Sequence, residues 1–162
     1  MAKSRKLRRK WRVEVFVKDG LVDAVGEGLK LDIEDLGIGG VKDVRAIQVY
    51  EIEGSIGRRE AERIGAELLA DAVSQGHRIG DRAPGASKKS WVVDVKYHPG
   101  VTDTVGASAL KGIRDMRIKG VGSARTSMRY IVTGKVSEKN MDAVCRRLLA
   151  NTVIQTYRMK KL

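Results

Sequence analysis

Apolar and polar residues alternate from Trp11 to Val17, with the odd positions apolar and Arg12 and Glu14 between them. A period of two predicts a strand buried on one face. Lys18-Asp19-Gly20 predicts a turn. From Leu21 to about Leu36 apolar residues recur at 22, 25, 29, 33 and 36, the spacing of an amphipathic helix. Gly26 and Gly28 weaken that helix by about 1 kcal/mol each relative to Ala. Small residues on one face would let it sit close to the sheet or to a twin helix. Gly37-Ile38-Gly39-Gly40 ends it. Val41 to Glu53 reads as one long strand, or two separated by a bulge, with Val41, Val44, Ile47, Val49 and Ile52 as its apolar set. A second helix follows at about 58–72, its apolar face formed by Ala61, Ile64, Leu68, Leu69 and Ala72. A short strand from Val73 to Ile79 closes a β-α-β-α-β series.

Gly80 to Ser90 contains Pro84, Gly85, Ala86 and Ser87 and predicts an exposed linker. The pattern then starts again. Shifting the chain by 80 residues lays 11–79 on 91–159 without a gap, with 21 identities in 69 positions. Trp11 meets Trp91, Asp23 meets Asp103, Gly26 meets Gly106, Gly54 meets Gly134, and Leu68-Leu69-Ala70 meets Leu148-Leu149-Ala150. The second copy is a strand at Trp91–Tyr97, a turn at His98-Pro99-Gly100, and a helix at about 102–117 with Thr102 as its N-cap. A long strand at 121–133, a helix at about 138–150 opened by Ser137, and a last strand within Asn151–Lys160 follow. A unit of about 70 residues buries only about 60% of its unfolded surface and is marginal alone. Fusion supplies the partner face at high effective concentration. The expectation is an α+β protein: two modules, 11–79 and 91–162, forming a pseudo-dimer of antiparallel sheets with helices packed on one face. A basic tail, residues 1–10, precedes them and is expected to be disordered.

Charge separates the two copies. The net charge of the chain is +12, and residues 1–10 hold six basic groups and no acid. The first copy has nine basic and fourteen acidic residues, a net of −5; the second has twelve and five, a net of +7. Opposite signs favour pairing of the two halves with each other, and give the pair an acidic and a basic end suited to one-way docking on a larger partner. With 42% apolar and 32% charged residues the composition is that of a soluble globular protein. No apolar run approaches the ~20 residues of a membrane span, and no apolar segment follows the basic start as a signal peptide requires, so a cytoplasmic location is expected. The single cysteine, Cys145, excludes an internal disulfide and, with Val144, Leu148 and Leu149 around it, reads as a core thiol.

The residues offer little chemistry. His77 and His98 occupy non-equivalent positions of the repeat and lack a Cys, Asp or Glu at ligand spacing, and no metal motif is present. The run Asp32-Glu34-Asp35 reads as a solvated helix face. The glycines of 37–40 and 120–122 follow a helix and precede a strand, the reverse of a phosphate loop. Catalytic, cofactor and metal sites are therefore not expected in this chain. Arg45 and Tyr50 recur as Arg125 and Tyr130 on the long strand and are the candidate interface residues. Trp11 and Trp91, opening equivalent strands, read as core or interface anchors. Two alternatives stay open: a small regulatory α+β module binding an amino acid or nucleotide between the repeats, and a basic nucleic-acid binder. The latter is weakened by an aromatic content of only 4%, since base stacking needs aromatic side chains.

The stretch Trp91 to Gly106 (WVVDVKYHPGVTDTVG) resembles the opening of PurS modules, as does Val13 to Lys18 in the first copy. Val41-x-x-Val44-Arg45, Tyr130 to Gly134, and the helix ends Leu68 to Gln75 and Leu148 to Gln155 are similar too, so the resemblance spans about 140 of the 162 residues. PurS is the small subunit of phosphoribosylformylglycinamidine synthase, a ligase of purine synthesis. The resemblance implies a non-catalytic subunit. Its partners would be a synthetase (large) subunit, which activates the amide of formylglycinamide ribonucleotide with ATP and Mg, and a glutaminase subunit, which releases ammonia from glutamine. Both ATP and Mg would lie on the synthetase partner. An ordinary PurS is a single module that dimerises; this chain looks like a tandem pair in one polypeptide. The basic tail departs from the family pattern.

Overall fold

Both periodicities become real elements. The computed structural model describes residues 7–81 and 87–162. The remainder of the basic tail and the Pro84-Gly85 centre of the linker lie outside the described residues. The first copy contributes β1 (Arg9–Val17), α1 (Ala24–Asp35), β2 (Val41–Gly54), α2 (Arg58–Ile64) and β3 (Gln75–Ile79). The second contributes β4 (Ser90–Tyr97), α3 (Thr104–Asp115), β5 (Val121–Gly134), α4 (Glu138–Val144) and β6 (Gln155–Lys161). The strands hydrogen-bond in the order β3-β1-β2-β5-β4-β6. β4 runs antiparallel to both neighbours, with Asp94 opposite Arg129 on β5 and Arg158 on β6. Each copy is thus β-α-β-α-β, with its helices on one face of an antiparallel sheet.

The two long strands decide how the cores are assembled. At about 3.3 Å per residue a 14-residue strand is about 46 Å long, more than one small core can use. The chain divides into two compact units, and neither is a repeat. One unit takes β1, the second half of β2, α2 and β3 from the first copy, and α3 with the first half of β5 from the second. Its core is Val13, Val15, Ile52, Ile56, Ala61 and Ile64 together with Ile113 and Ile118. The other unit takes α1 and the first half of β2 from the first copy, and β4, the second half of β5, α4 and β6 from the second. There Ile33, Ile38 and Val44 pack with Trp91, Val93, Val95, Val132, Met141 and Val144. The helix between the first two strands of each copy therefore completes the core of the opposite copy.

One carboxylate repeated 80 residues apart fixes each exchanged helix. Asp23 caps α1 by accepting from Gly26 N at 2.9 Å, and its other oxygen accepts from Ala46 N on β2 at 2.8 Å. Asp103 caps α3 through Gly106 N at 2.8 Å and holds Thr126 N and Thr126 Oγ1 at 2.6 and 2.8 Å. The cap of α3 is thus Asp103 and not Thr102. A carboxylate that satisfies a helix end and a strand amide at once outcompetes a hydroxyl one residue earlier. The glycines three residues on serve close approach. A Cβ at Gly26 would meet Val44 O at 2.0 Å, and one at Gly106 would meet Ala124 O at 2.6 Å. Gly28 has nothing within 4 Å.

Several boundaries differ from the expected ones. α1 starts at Ala24, and Val22 and Val25 are exposed because the buried face turns on Gly26 and Ile33 instead. β1 begins at Arg9, so the last part of the basic tail is strand, with Lys10 paired to Glu53 at 3.3 Å. β2 is one strand without interruption; its apolar set serves both faces, with Val44 and Ile52 on one side and Ile47 and Val49 buried on the other. The second helices stop at Ile64 and Val144 and pass into π-helical turns, Gly65–Leu69 and Cys145–Leu149. These are closed by Ala70 N donating to Gly65 O and Ala150 N to Cys145 O, five residues back. The helical path ends there, with Ala70 already extended, so Ala72 falls in the following turn and is exposed instead of lying on the expected helix face.

Candidate functional site

The reactive side chains are engaged structurally. Cys145 is fully buried in the second core, and burial, reinforced by the charge of Asp142, pushes its thiol up to about 12. It stays a thiol, and the thiolate is the nucleophile. His77 Nε2 lies 2.8 Å from Glu62 Oε2, and His98 Nε2 lies 3.3 Å from Thr152 O. The pairing of His77 with a carboxylate 15 residues back was not visible from spacing. Among the described residues no group of three or more His, Cys, Asp or Glu could hold a metal ion. Among the described residues no nucleophile, base and orienting group come together, and the site to be sought is a surface.

Arg45 and Tyr50, five residues apart on β2, point to opposite faces because strand side chains alternate. The same holds for Arg125 and Tyr130 on β5. The structure therefore separates each arginine from its tyrosine. Tyr50 packs against the first core and Tyr130 against the second. Burial raises both hydroxyl pKa values, with the negative charge of Asp103 adding to the rise at Tyr50. Arg45 is paired loosely with Asp19 and Asp43, both at 3.5 Å. Arg125 is exposed and has no carboxylate partner among the described residues. Of the four, the arginines are the ones open to another molecule.

Other features escaped the sequence reading. Glu14, with no exposed surface, accepts from Arg12 Nε at 3.0 Å and from Arg78. At the equivalent place Asp94 takes a bidentate grip from Arg129, at 2.7 and 3.0 Å. Equivalent loops then hold a valine outward in each copy. Asp71 Oδ1 accepts from Val73 N and Ser74 N at 2.9 and 2.8 Å while Gln75 Oε1 accepts from Asp71 N. Asn151 Oδ1 and Gln155 Oε1 accept in the same way from Val153 N and Asn151 N. Val73 and Val153 are left 82% and 83% exposed. The signal was available: an Asx residue, a valine two on and a glutamine four on, repeated at an offset of 80. Leu21, Val22, Val25 and Leu31 add exposed apolar surface around α1. No helix among the described residues is long and apolar enough to cross a membrane.

The family model for PurS, phosphoribosylformylglycinamidine (FGAM) synthase, matches the chain twice, over residues 10–79 and 90–162. No curated protein matches it. Among solved structures it is similar to Methanocaldococcus jannaschii PurS, one of the subunits of formylglycinamide ribonucleotide amidotransferase in the purine biosynthetic pathway. That similarity is 21% identity over 44% of this chain and 92% of the other, with a TM-score of 0.30. It is also similar to the purS subunit of phosphoribosylformylglycinamidine synthase from Thermotoga maritima, with 22% identity over 45% of this chain and 90% of the other and a TM-score of 0.29.

Proposed function

The chain belongs to the PurS family of phosphoribosylformylglycinamidine synthase, a non-catalytic coupling component of that enzyme, and on that premise we propose that one copy of it does the work of a PurS dimer. It bridges the synthetase subunit and the glutaminase subunit, and lets ammonia released from glutamine meet the activated amide of formylglycinamide ribonucleotide. ATP and Mg belong to the synthetase partner, and the complex works in the cytoplasm. The observation that carries this reading is the exchange of α1 and α3 between the cores. Each core is incomplete without a helix from the other repeat, so the chain folds as an obligate pair without a second copy. Arg45 and Arg125, with the outward Val73 and Val153, are the residues proposed to meet the partner subunits; Tyr50 and Tyr130 back them from the cores.

The test is reconstitution with the synthetase and glutaminase subunits of the same organism. Glutamine-dependent ATP turnover with formylglycinamide ribonucleotide is expected to require this chain, while turnover on free ammonia is not. Equal glutamine-dependent rates with and without the chain would rule out the coupling role. Steeply salt-dependent retention on nucleic acid would then move the basic character of the chain to the front.

A further inference from the structure

One end of the second compact unit concentrates positive charge in a way the scaffold does not require. A cavity of about 490 Å³ is lined by Lys88, Lys89, Lys135 and Lys161. A second, of about 400 Å³, shares Lys89, Gly134 and Lys135 with it and adds Lys42. All five lysines are exposed, and among the described residues no carboxylate pairs with any of them. Four lysines line the larger cavity and three the smaller; like charges so gathered repel one another, and an anion seated among them would offset that repulsion.

The backbone beneath the lysines is fixed. Gly134 N donates to Lys89 O at 3.0 Å, and Lys135 N donates to Gly40 O at 3.0 Å. A Cβ at Gly134 would meet Gly40 O at 2.0 Å, so the chains here are as close as glycine allows. Lys161 lies over the ring of the buried Trp91, 5.7 Å from its centroid. Thr133 lines the smaller cavity and Ser137 the larger.

The duplication provides an internal control. Eighty residues away, Lys42, Lys88, Lys89, Lys135 and Lys161 correspond to Gly122, Arg8, Arg9, Ser55 and Asp81, and Thr133 corresponds to Glu53. Equivalent backbone therefore tolerates two basic residues and two acids, and the five-lysine set is a property of one end alone.

We propose that this concavity binds a compact, multiply phosphorylated small anion, recognised through its phosphates. The volumes fall in the range of small-molecule sites, roughly 300–1,000 Å³. Lysine is a phosphate ligand that acts as a point charge, and the four lining the larger cavity match a pyrophosphate group better than a single carboxylate. No aromatic side chain lines either cavity, so the site has nothing on which to stack a base.

The experiment is calorimetric titration of the intact chain with sodium pyrophosphate at fixed ionic strength, alongside inorganic phosphate and a nucleoside diphosphate. Saturable one-to-one binding of pyrophosphate is expected, with the nucleoside diphosphate within about threefold of it and inorganic phosphate weaker. The double variant Lys89→Gln/Lys135→Gln is expected to lose at least tenfold in affinity, and Arg9→Gln, at the equivalent place in the other copy, to lose none. Both variants alter exposed side chains, and circular dichroism confirms their fold. Heats that do not saturate, equal loss in both variants, or binding of the nucleoside diphosphate without pyrophosphate would each overturn the proposal. So would the absence of small-anion binding together with loss of glutamine-dependent coupling in Lys89→Gln/Lys135→Gln, which would make this face a protein contact.

Discussion

The two compact units solve the same packing problem with different side chains. In both, an aspartate clamps the exchanged helix to a long strand, a glycine lets that helix touch strand backbone, and a tryptophan indole donates to a backbone carbonyl. Trp11 Nε1 reaches Ile56 O at 3.1 Å, and Trp91 Nε1 reaches Val136 O at 3.0 Å. Where the units differ, the partner has changed while the contact has stayed. His77 bonds Glu62 in one, and Tyr157 bonds Asp142 in the other. Gly65 opens one π-helical turn beside His77, and Cys145 opens the other. Glu14 is held by Arg12 and Arg78, Asp94 by Arg129. Backbone geometry is common to the two units because the exchange of helices demands it; polar pairs and surface charge were free to diverge as long as each buried group kept a partner.

The sharpest difference between the units is in the buried ion pairs. Glu14 is fully buried between two guanidinium groups, whereas the side chain of Asp94 retains 28% of its exposure. Glu14→Ala takes the buried carboxylate from two guanidinium groups and is expected to cost about 4 kcal/mol, at the level of breaking a buried pair. Asp94→Ala takes its carboxylate from one guanidinium group, Arg129, and is expected to cost about half as much. Urea unfolding of the two variants decides it, and equal losses would mean that the number of guanidinium partners does not set the cost.

The glycines give the next largest effect. Gly26→Ala forces a methyl to within 2.0 Å of Val44 O, and Gly106→Ala to within 2.6 Å of Ala124 O. Overpacking of this kind costs about 1–3 kcal/mol, offset by about 1 kcal/mol of helix propensity. Gly26→Ala is expected near the top of that range and Gly106→Ala near zero to 1 kcal/mol. A reversed order in thermal melts would show that the two exchanged helices are not seated as described.

The smallest effect separates Cys145 from Gly65. The folded chain holds the thiol proton up to about 12, while an ordinary thiol releases it near 9.0. Between those values the folded state binds more protons than the unfolded one. The stability contributed by the neutral thiol is therefore complete below pH 9 and falls as pH rises toward 12. The difference in stability between the natural chain and Cys145→Ala is expected to shrink over that interval and to stay constant from pH 6 to 8. A difference that is flat through pH 10 would place the thiol in a more polar setting. Failure of native Cys145 to react with an alkylating reagent at pH 8 checks the same burial.

Much of this was legible in the chain. The alternation of Trp11 to Val17, the helical spacing after Leu21 and the repeat at 80 residues determined the elements, their order and their doubling, since side-chain periodicity is a local consequence of backbone geometry. The aspartates and glycines at 23, 26, 103 and 106 stood out as identities, although their joint purpose did not. Arg45 and Tyr50 were legible as equivalent pairs, yet a spacing of five on a strand divides them between faces. What tertiary structure alone decided is which residues share a core. Nothing in the order of α1 and β2 states that a 14-residue strand will serve one core with its first half and another with its second, or that α1 will be left with the second copy. The five lysines at 42, 88, 89, 135 and 161 likewise meet only because strand ends and a linker distant in sequence converge. Periodicity is written in neighbours along the chain, while burial depends on which distant surfaces remove the most apolar area from water.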